Sequence, residues 1–404
     1  MRTTHPARSA LTLCLASALA LSACTLGSGD SESTPTPASV PTPTEDVAEG
    51  TAAPGDTDDT DTTATTGAAG QGDTEETTEA APPADPGTVT LVTHDSFAVP
   101  DDLVAAFEEE TGYDLQIQAS GDAGSLTNQL VLTAGRPIGD AVFGIDTTFA
   151  SRAIDEGVLA AYEPDLPEGA EEHALEEGAA AYLTPVDYGD VCVNVDNAWF
   201  ANEGIEPPTN LEDLVEEQYR DLFVTPGAST SSPGMSFLLA TVGAYGEGEW
   251  QPYWRALMDN GAKITSGWTD AYTVDFTAGG GDGDRPIVLS YASSPPFTIP
   301  EGGWEPTTSA LLDTCFRQVE YAGVLEGAAN PEGAQAVVDW LLSAEVQASI
   351  PDNMYMFPVD DQVELPELWA QWAAVAETPI TVPPRQIEAE RETWLREWAD
   401  IATG

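Results

Sequence analysis

Short apolar runs alternate with amphipathic stretches along the chain after residue 87. The β-rich run 89–92 predicts a strand, and Leu103, Val104 and Phe107 lie on one face of a predicted helix 101–110. The same alternation continues with predicted strands at 113–119 and 141–145 and predicted helices at 126–134 and 148–156. This order of elements is typical of a mainly parallel sheet covered by helices.

A second series of the same kind follows. It predicts strands at 191–195, 222–225 and 287–291 and helices at 211–217, from 233 onwards and at 250–258. Further helices are predicted at 331–342 and 388–402, and the last of these carries Trp394 and Trp398 at a spacing typical of packing against a neighbour. Two comparable α/β units in one chain predict a two-lobed protein.

The N-terminal segment has the layout of an export signal. Two arginines precede the apolar stretch 11–21, which is shorter than the roughly 20 residues needed to span a membrane. The run Leu21-Ser22-Ala23-Cys24 that ends it is typical of a bacterial lipoprotein signal. We therefore expect residues 1–23 to be removed and Cys24 to carry lipid; the alternative is an ordinary secretory signal with an incidental cysteine.

Residues 24–87 are rich in Thr, Pro, Gly, Ala, Asp and Glu and contain few large apolar side chains. Such a segment cannot bury enough apolar surface to offset the entropy of ordering. No Lys or Arg occurs between Cys24 and Arg136, so the segment carries only negative charge. We expect a disordered acidic tether that holds an extracytoplasmic domain away from the cell membrane.

The overall charge narrows the choice of partners. With 12 basic and 69 acidic residues, the formal net charge is −57. This argues against binding to nucleic acid and against electrostatic adhesion to anionic lipid. It favours a cationic ligand, although a solvated acidic surface gives the same composition.

Cysteine usage leaves one candidate disulfide. Cys14 leaves with the signal and Cys24 is expected to carry lipid, so Cys192 and Cys315 remain. In an oxidising compartment this pair forms a disulfide or stays as two buried thiols, and the separation in sequence does not decide between them.

No enzymatic constellation is present in the sequence. The histidines are His5, His94 and His173, which excludes a histidine-rich metal site, and no nucleophile-elbow or zinc pattern occurs. The glycine-rich run 279–284 lacks the Lys-Ser/Thr of a phosphate loop and the closing Glu of a calcium loop. We expect no catalytic residue, no metal and no cofactor.

Several segments place aromatic or hydroxyl side chains beside a strand end or a helix start, where ligands of open α/β sheets collect. They are 93–97, 121–125, 185–189, 230–234, 267–272, 289–295 and 353–358. Together, in matching order and spacing over 88–404, they resemble the substrate-binding proteins of bacterial thiamine ABC importers, in the iron- and thiamine-binding branch of periplasmic-type binding proteins.

The resemblance implies an α/β fold of the two-lobed, type II periplasmic-binding-protein clamshell class, with a mainly parallel sheet flanked by helices in each lobe. We expect residues 88–187 and 292–404, with the C-terminal helices, in lobe 1 and residues 188–291 in lobe 2. Two or more strands would cross between the lobes, and the clamshell would close by a hinge. The implied function is that of a monomer that binds thiamine or a thiamine phosphate between the lobes and delivers it to an ABC permease.

The resemblance also implies which residues contact the ligand. Trp268, Tyr291 and Tyr355 match aromatic walls of the family's pocket. Asp122 and Ala123 stand where the family has an acid–glycine pair, and Ser231 and Ser232 stand where it has a Ser-Thr pair. The family's small positions are occupied by Ala292, Ser293 and Ser294. Four residues depart from the family pattern: His94 and Phe297 replace tyrosines, Ala123 replaces glycine, and Tyr355 replaces tryptophan. These changes put the preference among thiamine and its phosphates in doubt.

The chemistry of thiamine fits such residues. Aromatic faces attract its cationic thiazolium by about 0.5–2 kcal/mol each, and Asp122, Asp146 or Asp187 would add Coulomb attraction or accept from its exocyclic amine. Serines at a helix start would hold its hydroxyethyl group or a phosphate. The alternatives are that Trp268 and His94 belong to the core, that Asp146 caps a helix, and that Asp187 supports a hinge.

Other functions stay open. A polyamine-binding protein of the same fold is favoured by the acidity and the aromatic residues, whereas a ferric-ion binder is disfavoured because no Tyr-Tyr pair occurs. An extracytoplasmic enzyme would need a nucleophile–base motif that the sequence lacks. A purely structural lipoprotein is disfavoured because the folded part contains no repeats.

Overall fold

The computed structural model describes residues 86–176 and 178–404. The predicted signal peptide, the lipid site at Cys24 and nearly all of the predicted tether lie outside these residues. Among the helices of the described part, none is long and apolar enough to cross a membrane.

The secondary structure alternates strands and helices. The strands are β1 Thr88–Thr93, β2 Asp114–Ala119, β3 Ala141–Asp146, β4 Leu159–Ala160, β5 Thr184–Asp196, β6 Phe223–Pro226, β7 Lys263–Thr265, β8 Ile287–Tyr291, β9 Thr308–Ala310, β10 Phe316–Leu325 and β11 Phe357–Pro358. The helices are α1 Asp101–Thr111, α2 Ala123–Leu132, α3 Ala150–Asp155, α4 Asn197–Glu203, α5 Ser232–Tyr245, α6 Trp250–Asp259, α7 Pro331–Leu341, α8 Ala344–Asn353, α9 Glu367–Trp372 and α10 Pro384–Ala402.

The strands form an eleven-stranded sheet with the order β2-β1-β3-β10-β5-β8-β6-β7, to which β4, β9 and β11 add short pairings. Strands β1, β2 and β3 are parallel to one another, as are β6, β7 and β8. Between these groups, β5 and β10 pair antiparallel with each other. The fold is a two-lobed α/β clamshell in which β1–β3 mark the first lobe, β6–β8 mark the second, and β5 and β10 are the hinge strands.

Strand β5 serves both lobes because of its length. Its residues from Thr184 to Val191 pair with β10, whereas Val191 to Val195 pair with β8. The sequence predicts a strand only at 191–195, so the part that forms the hinge was missed. Cys192 of β5 is disulfide-bonded to Cys315, which immediately precedes β10, with 4.2 Å between their Cα atoms. The disulfide therefore joins the two hinge strands.

Two large apolar clusters form the core. One lies in the first lobe and includes Val89, Phe107 and Val337. The other extends through both lobes and includes Leu126 of α2 and Phe237 of α5. The apolar contact between elements of different lobes stabilises the arrangement in which the lobes lie close together.

The C-terminal helix α10 packs on the second lobe. Trp394 and Trp398 are buried, and the Trp398 ring meets Trp254 of α6 edge to face at 5.7 Å. This is the packing role expected from their spacing. The helix also contacts the first lobe, where Arg391 Nε donates to the Thr148 carbonyl at 3.0 Å. The predicted lobe boundaries stay a prediction.

The prediction of a helix at 211–217 is wrong. The segment contains two single turns of 3-10 helix, at Asp213–Val215 and Glu217–Tyr219. The Asp213 carboxylate accepts from the backbone N–H of Thr209 at 2.7 Å, and the Asn210 side chain accepts from the N–H of Asp213 at 2.9 Å. These bonds cap the first turn, and the extended backbone of Glu216, with φ −74° and ψ 145°, ends it before a continuous helix can form.

Candidate functional site

A cavity of about 210 Å³ opens between the lobes. Its walls come from the segment after β1, the start of α2, the start of α5, the segment after β7, the end of β8, hinge strand β10 and the loop after α8. Most of the predicted site residues line it: His94, Asp122, Ala123, Ser232, Trp268, Tyr291, Ser294, Phe297 and Tyr355. The sequence motifs thus converge on one enclosed space.

Aromatic rings form one continuous wall of the cavity. Trp268 stacks on Tyr272 with 5.0 Å between ring centroids and 18° between planes. Tyr272 meets Phe297 at 5.8 Å, and Phe297 meets Tyr355 at 5.4 Å, both edge to face. Trp268 is fixed in place by a hydrogen bond from its indole Nε1 to Ser290 Oγ at 3.0 Å. The ring faces that remain free are suited to a flat or cationic ligand.

Tyr272 was missed as a site residue, although its segment was recognised. It lies in a turn of π-helix over Asp270–Asp275, which presents both Tyr272 and Thr273 to the cavity. Such wide turns are rare and occur often at functional sites. Nothing in the local sequence distinguishes this turn from an ordinary helix start.

Tyr355 has an unusual backbone. Its φ of 56° lies in the left-handed region, which a residue with a Cβ seldom adopts. The strained turn after α8 brings Tyr355, together with Asn353, Met354 and Met356, to the cavity. Sites that bind ligands often retain this kind of strain.

Asp122 connects the two lobes at the edge of the cavity. It caps α2 by accepting from the N–H of Ala123 at 2.7 Å, and the same oxygen accepts from Ser232 N–H at 3.0 Å. Its other oxygen accepts from Trp268 N–H at 2.8 Å. Burial raises the pKa of Asp122, and these backbone donors act in the opposite direction. The carboxylate is therefore occupied by protein donors.

Further contacts close the clamshell around Asp122. Ser125 N–H donates to the Thr230 carbonyl at 2.9 Å, and the hydroxyls of Ser96 and Thr269 are 3.2 Å apart. A Cβ at Gly124 would lie 2.7 Å from the Thr230 carbonyl carbon, so glycine permits this close approach. The structure is thus a closed form.

Asp146 does not line the cavity. It is fully buried after β3, where its carboxylate accepts from the N–H groups of Thr148 and Phe149, each at 3.2 Å, and from the Ser232 hydroxyl. Burial raises its pKa to about 7, against the effect of these hydrogen bonds. Asp146 therefore holds the turn that leads into α3, whose N-cap Phe149 has no side-chain capping bond, and Ser232 adds a connection to the second lobe.

The other predicted residues outside the cavity wall have structural surroundings. Ser231 caps α5 by accepting from Gly234 N–H at 3.4 Å, and Ala292 packs beside the disulfide. Ser293 is fully buried. Asp187 is also fully buried, on hinge strand β5.

Glu320 is a cavity residue that the sequence interpretation missed. It lies on hinge strand β10 directly opposite Asp187 of β5. Its carboxylate is 3.5 Å from His94 Nε2 and accepts from Gln318 Nε2 at 3.3 Å. Burial, followed by the nearby Glu320 charge, raises the pKa of Asp187 well above its ordinary value. Burial also acts to raise the pKa of Glu320, but the His94 charge and the hydrogen bonds that the carboxylate accepts together outweigh burial and lower that pKa. Glu320 therefore carries negative charge more readily than Asp187 does.

Within the described ranges, no group of three or more His, Cys, Asp or Glu residues is arranged to hold a metal ion. The cavity thus offers aromatic faces, hydroxyl groups, the N-terminal end of α5 and the Glu320 carboxylate, which faces His94 but no Lys or Arg. Such a set of groups is suited to a small, partly aromatic ligand.

Comparison with known proteins identifies relatives over most of the folded part. Residues 93–348 match the family described as bacterial extracellular solute-binding protein. The thiamine-binding periplasmic protein of Salmonella typhimurium is 30% identical over 318 residues, covering 77% of this chain and 92% of that protein. Its counterpart in Escherichia coli is 29% identical over 323 residues, with the same coverage.

A solved structure titled periplasmic thiamin binding protein superimposes with a TM-score of 0.68 at 27% identity, covering 78% of this chain and 96% of that one. The two-lobed fold and the family assignment therefore agree. The chain belongs to the bacterial extracellular solute-binding protein family.

Proposed function

We propose that this protein binds thiamine or a thiamine phosphate in the cavity between its lobes and delivers it to an ABC permease. The observation that supports this most strongly is the aromatic wall of Trp268, Tyr272, Phe297 and Tyr355 facing a cavity that also contains a buried carboxylate. A flat aminopyrimidine stacks on such rings, and a cationic thiazolium is attracted by their faces and by the carboxylate. The names of the relatives agree with this choice of ligand.

The polar end of the ligand would lie at the start of α5. Ser232 and Pro233 line the cavity there, at the positive end of the helix dipole, which favours negative charge. The N–H groups of Ser232 and Gly234 already donate to protein side chains, so the dipole rather than free N–H groups would act on the ligand. Ser294 offers a further hydroxyl, held by Ser290 at 2.8 Å. This end would accept the hydroxyethyl group of thiamine or the phosphate of its esters.

The closed arrangement supports a transport role. Asp122 can accept from Ser232 and Trp268 only when the lobes meet. Ligand binding would favour this state by adding contacts to both lobes, and a permease would recognise the closed form. Binding and hinge closure are thus parts of one step.

We also propose that the protein is an extracytoplasmic monomer anchored to the cell membrane through lipid on Cys24. The lipoprotein-like run Leu21–Cys24 and the acidic segment after it support this. Metabolic labelling with a radioactive fatty acid tests the anchor. We expect label on the natural chain and none on Cys24→Ala, and an unlabelled natural chain would contradict the anchor without affecting the ligand.

Calorimetric titration of the purified protein tests the ligand. Thiamine, thiamine monophosphate and thiamine diphosphate are titrated separately, with spermidine and ferric citrate as controls. We expect one-to-one binding of at least one thiamine form and no binding of the controls. Heat from spermidine or iron without heat from any thiamine form would contradict the proposed ligand but leave the fold assignment intact.

A further inference from the structure

Glu320 lies deep in the cavity wall at the hinge. Its side chain is on β10, the residue is only 5% exposed, and it faces the same space as Trp268 and Tyr291. Buried carboxylates are costly unless a positive charge or several donors compensate them. The groups around Glu320 therefore decide whether its negative charge is compensated within the protein.

The side chains that face Glu320 in the protein include Gln318, which is always neutral, and His94, which is a cation only when protonated. His94 accepts from Ser96 N–H through Nδ1 at 3.2 Å, so the neutral imidazole carries its proton on Nε2, the atom that faces Glu320 at 3.5 Å. Gln318 donates its amide N–H to Glu320 at 3.3 Å. With His94 neutral, these dipoles stabilise the carboxylate but leave its charge unneutralised, whereas a protonated His94 pairs with it.

The ring of His94 is held in this position by its surroundings. Gly144 has a φ of 101°, and a Cβ at this position would overlap the His94 ring. On its other side, the ring contacts Phe143 at 5.4 Å between centroids. His94 therefore presents Nε2 to Glu320 in a fixed orientation.

No permanently charged protein cation faces Glu320 among the described residues that line the cavity, because none of them is Lys or Arg. The other acids differ from Glu320, because Asp122 is occupied by three backbone N–H groups, Asp187 is fully buried and does not line the cavity, and Asp95 is exposed at the cavity mouth. When His94 is neutral, Glu320 is thus the buried anion of the cavity whose positive partner comes from the ligand.

We propose that Glu320 is the counter-ion for the positively charged ring of the ligand and determines the preference for a cationic ligand over a neutral one of the same shape. This inference rests on the proposed function, since it assigns a residue to the thiazolium of a thiamine-type ligand. Gln318 connects this role to the aromatic wall, because its amide nitrogen contacts both Glu320 and, at 3.1 Å, the Tyr291 hydroxyl. The Gln318 side chain thus positions both the Glu320 carboxylate and the Tyr291 ring.

The test compares two ligands of equal shape. Calorimetry on the full chain measures the affinity for thiamine and for a neutral thiamine analogue whose quaternary nitrogen is replaced by carbon. We expect the natural protein to prefer thiamine. In Glu320→Gln that preference should fall by at least about tenfold, while the neutral analogue binds within about threefold of its original affinity.

Two further variants serve as controls. Glu326→Gln removes one negative charge from the exposed end of the same strand segment, outside the cavity, and should leave the preference unchanged. Glu320→Asp keeps the charge but withdraws it by one methylene, so it should lose less of the preference than Glu320→Gln. This order separates a charge effect from a general disturbance of the hinge.

The outcomes are distinguishable. Equal weakening of both ligands in Glu320→Gln would mean a merely structural role, and an unchanged preference would mean that another group supplies the charge; either result overturns the inference. A natural protein with no preference for the cation overturns it without any variant. A natural protein that binds neither ligand contradicts the proposed function itself.

Discussion

The carboxylate of Asp122, at the start of α2 in the first lobe, accepts a hydrogen bond of 2.8 Å from the backbone N–H of Trp268 in the second lobe. The bond ties an aromatic wall of the cavity to the opposite lobe. A ligand that stacks on Trp268 therefore contacts a residue whose position depends on closure.

This relationship predicts that Asp122→Ala impairs closure. The substitution leaves N–H groups of Ala123, Ser232 and Trp268 without their acceptor in the closed form, at a cost of about 1–3 kcal/mol per buried group. We expect thiamine affinity to fall at least about tenfold, with a larger radius of gyration at saturating ligand by small-angle X-ray scattering. Asp102→Asn, an exposed acid on α1, is the control and should leave both quantities unchanged. A compact, fully binding Asp122→Ala would contradict the role of this contact.

Trp268→Ala should weaken thiamine binding by at least about tenfold without unfolding the protein, because it removes one ring of the aromatic wall. Calorimetry gives the affinity, and a thermal melt monitored by circular dichroism checks the fold. Trp304→Ala is the matched control, since Trp304 is 73% exposed and does not line the cavity. Unchanged affinity in a folded Trp268→Ala protein would remove Trp268 from the site.

Binding of a cationic ligand should weaken at low pH because of His94. Burial acts to lower the pKa of His94, but Glu320, with Asp122 and Asp95, outweighs burial and raises it above 6.5. Below this raised pKa the protonated ring offsets the negative charge of Glu320, and above it the charge is available to the ligand. Affinity for thiamine should therefore rise as pH increases through the pKa of His94.

Calorimetry over a pH series measures this dependence. In His94→Gln, which keeps a polar side chain but cannot titrate, we expect the dependence in this range to disappear. His173→Gln is the control, because His173 stacks on Tyr188 away from the cavity lining. A pH dependence that survives in His94→Gln would have to come from another group.

The disulfide between Cys192 and Cys315 should stabilise the fold. It joins hinge strands across 123 residues of sequence and restricts the unfolded chain. Replacing both cysteines by serine should lower the free energy of unfolding by roughly 2–5 kcal/mol, measured by urea denaturation. The double serine variant is compared with the natural chain in the absence and in the presence of reductant. Equal free energies of unfolding for all three samples would show that the disulfide contributes nothing to stability.

Much of the first lobe could be predicted from the sequence. The apolar runs of β1 and β3 and the amphipathic face of α1 have clear periodicity, so the βαβα order was recognised. Cavity residues such as Trp268 and Tyr291 were found because their motifs kept order and spacing. The local hydrophobic pattern is enough to predict a strand or helix whose side chains face only the core or the solvent.

The hinge could not be predicted in the same way. Strand β10 carries Gln318 and Glu320 among its apolar residues, because these two side chains contact the polar groups around the cavity. The two polar residues interrupt the apolar pattern that would otherwise predict a buried strand. Glu320 was missed for this reason. Equally, the sequence does not say which of several acids is occupied by backbone donors, as Asp122 and Asp146 are.

The central claim is that the cavity between the lobes takes a thiamine form. Native mass spectrometry of the purified protein, in an equimolar mixture of thiamine, thiamine monophosphate, thiamine diphosphate, spermidine and ferric citrate, tests it in one measurement. The account predicts one bound molecule per chain with the mass of a thiamine form, lost in Trp268→Ala. A complex with spermidine or iron, or none with any thiamine form, would contradict it.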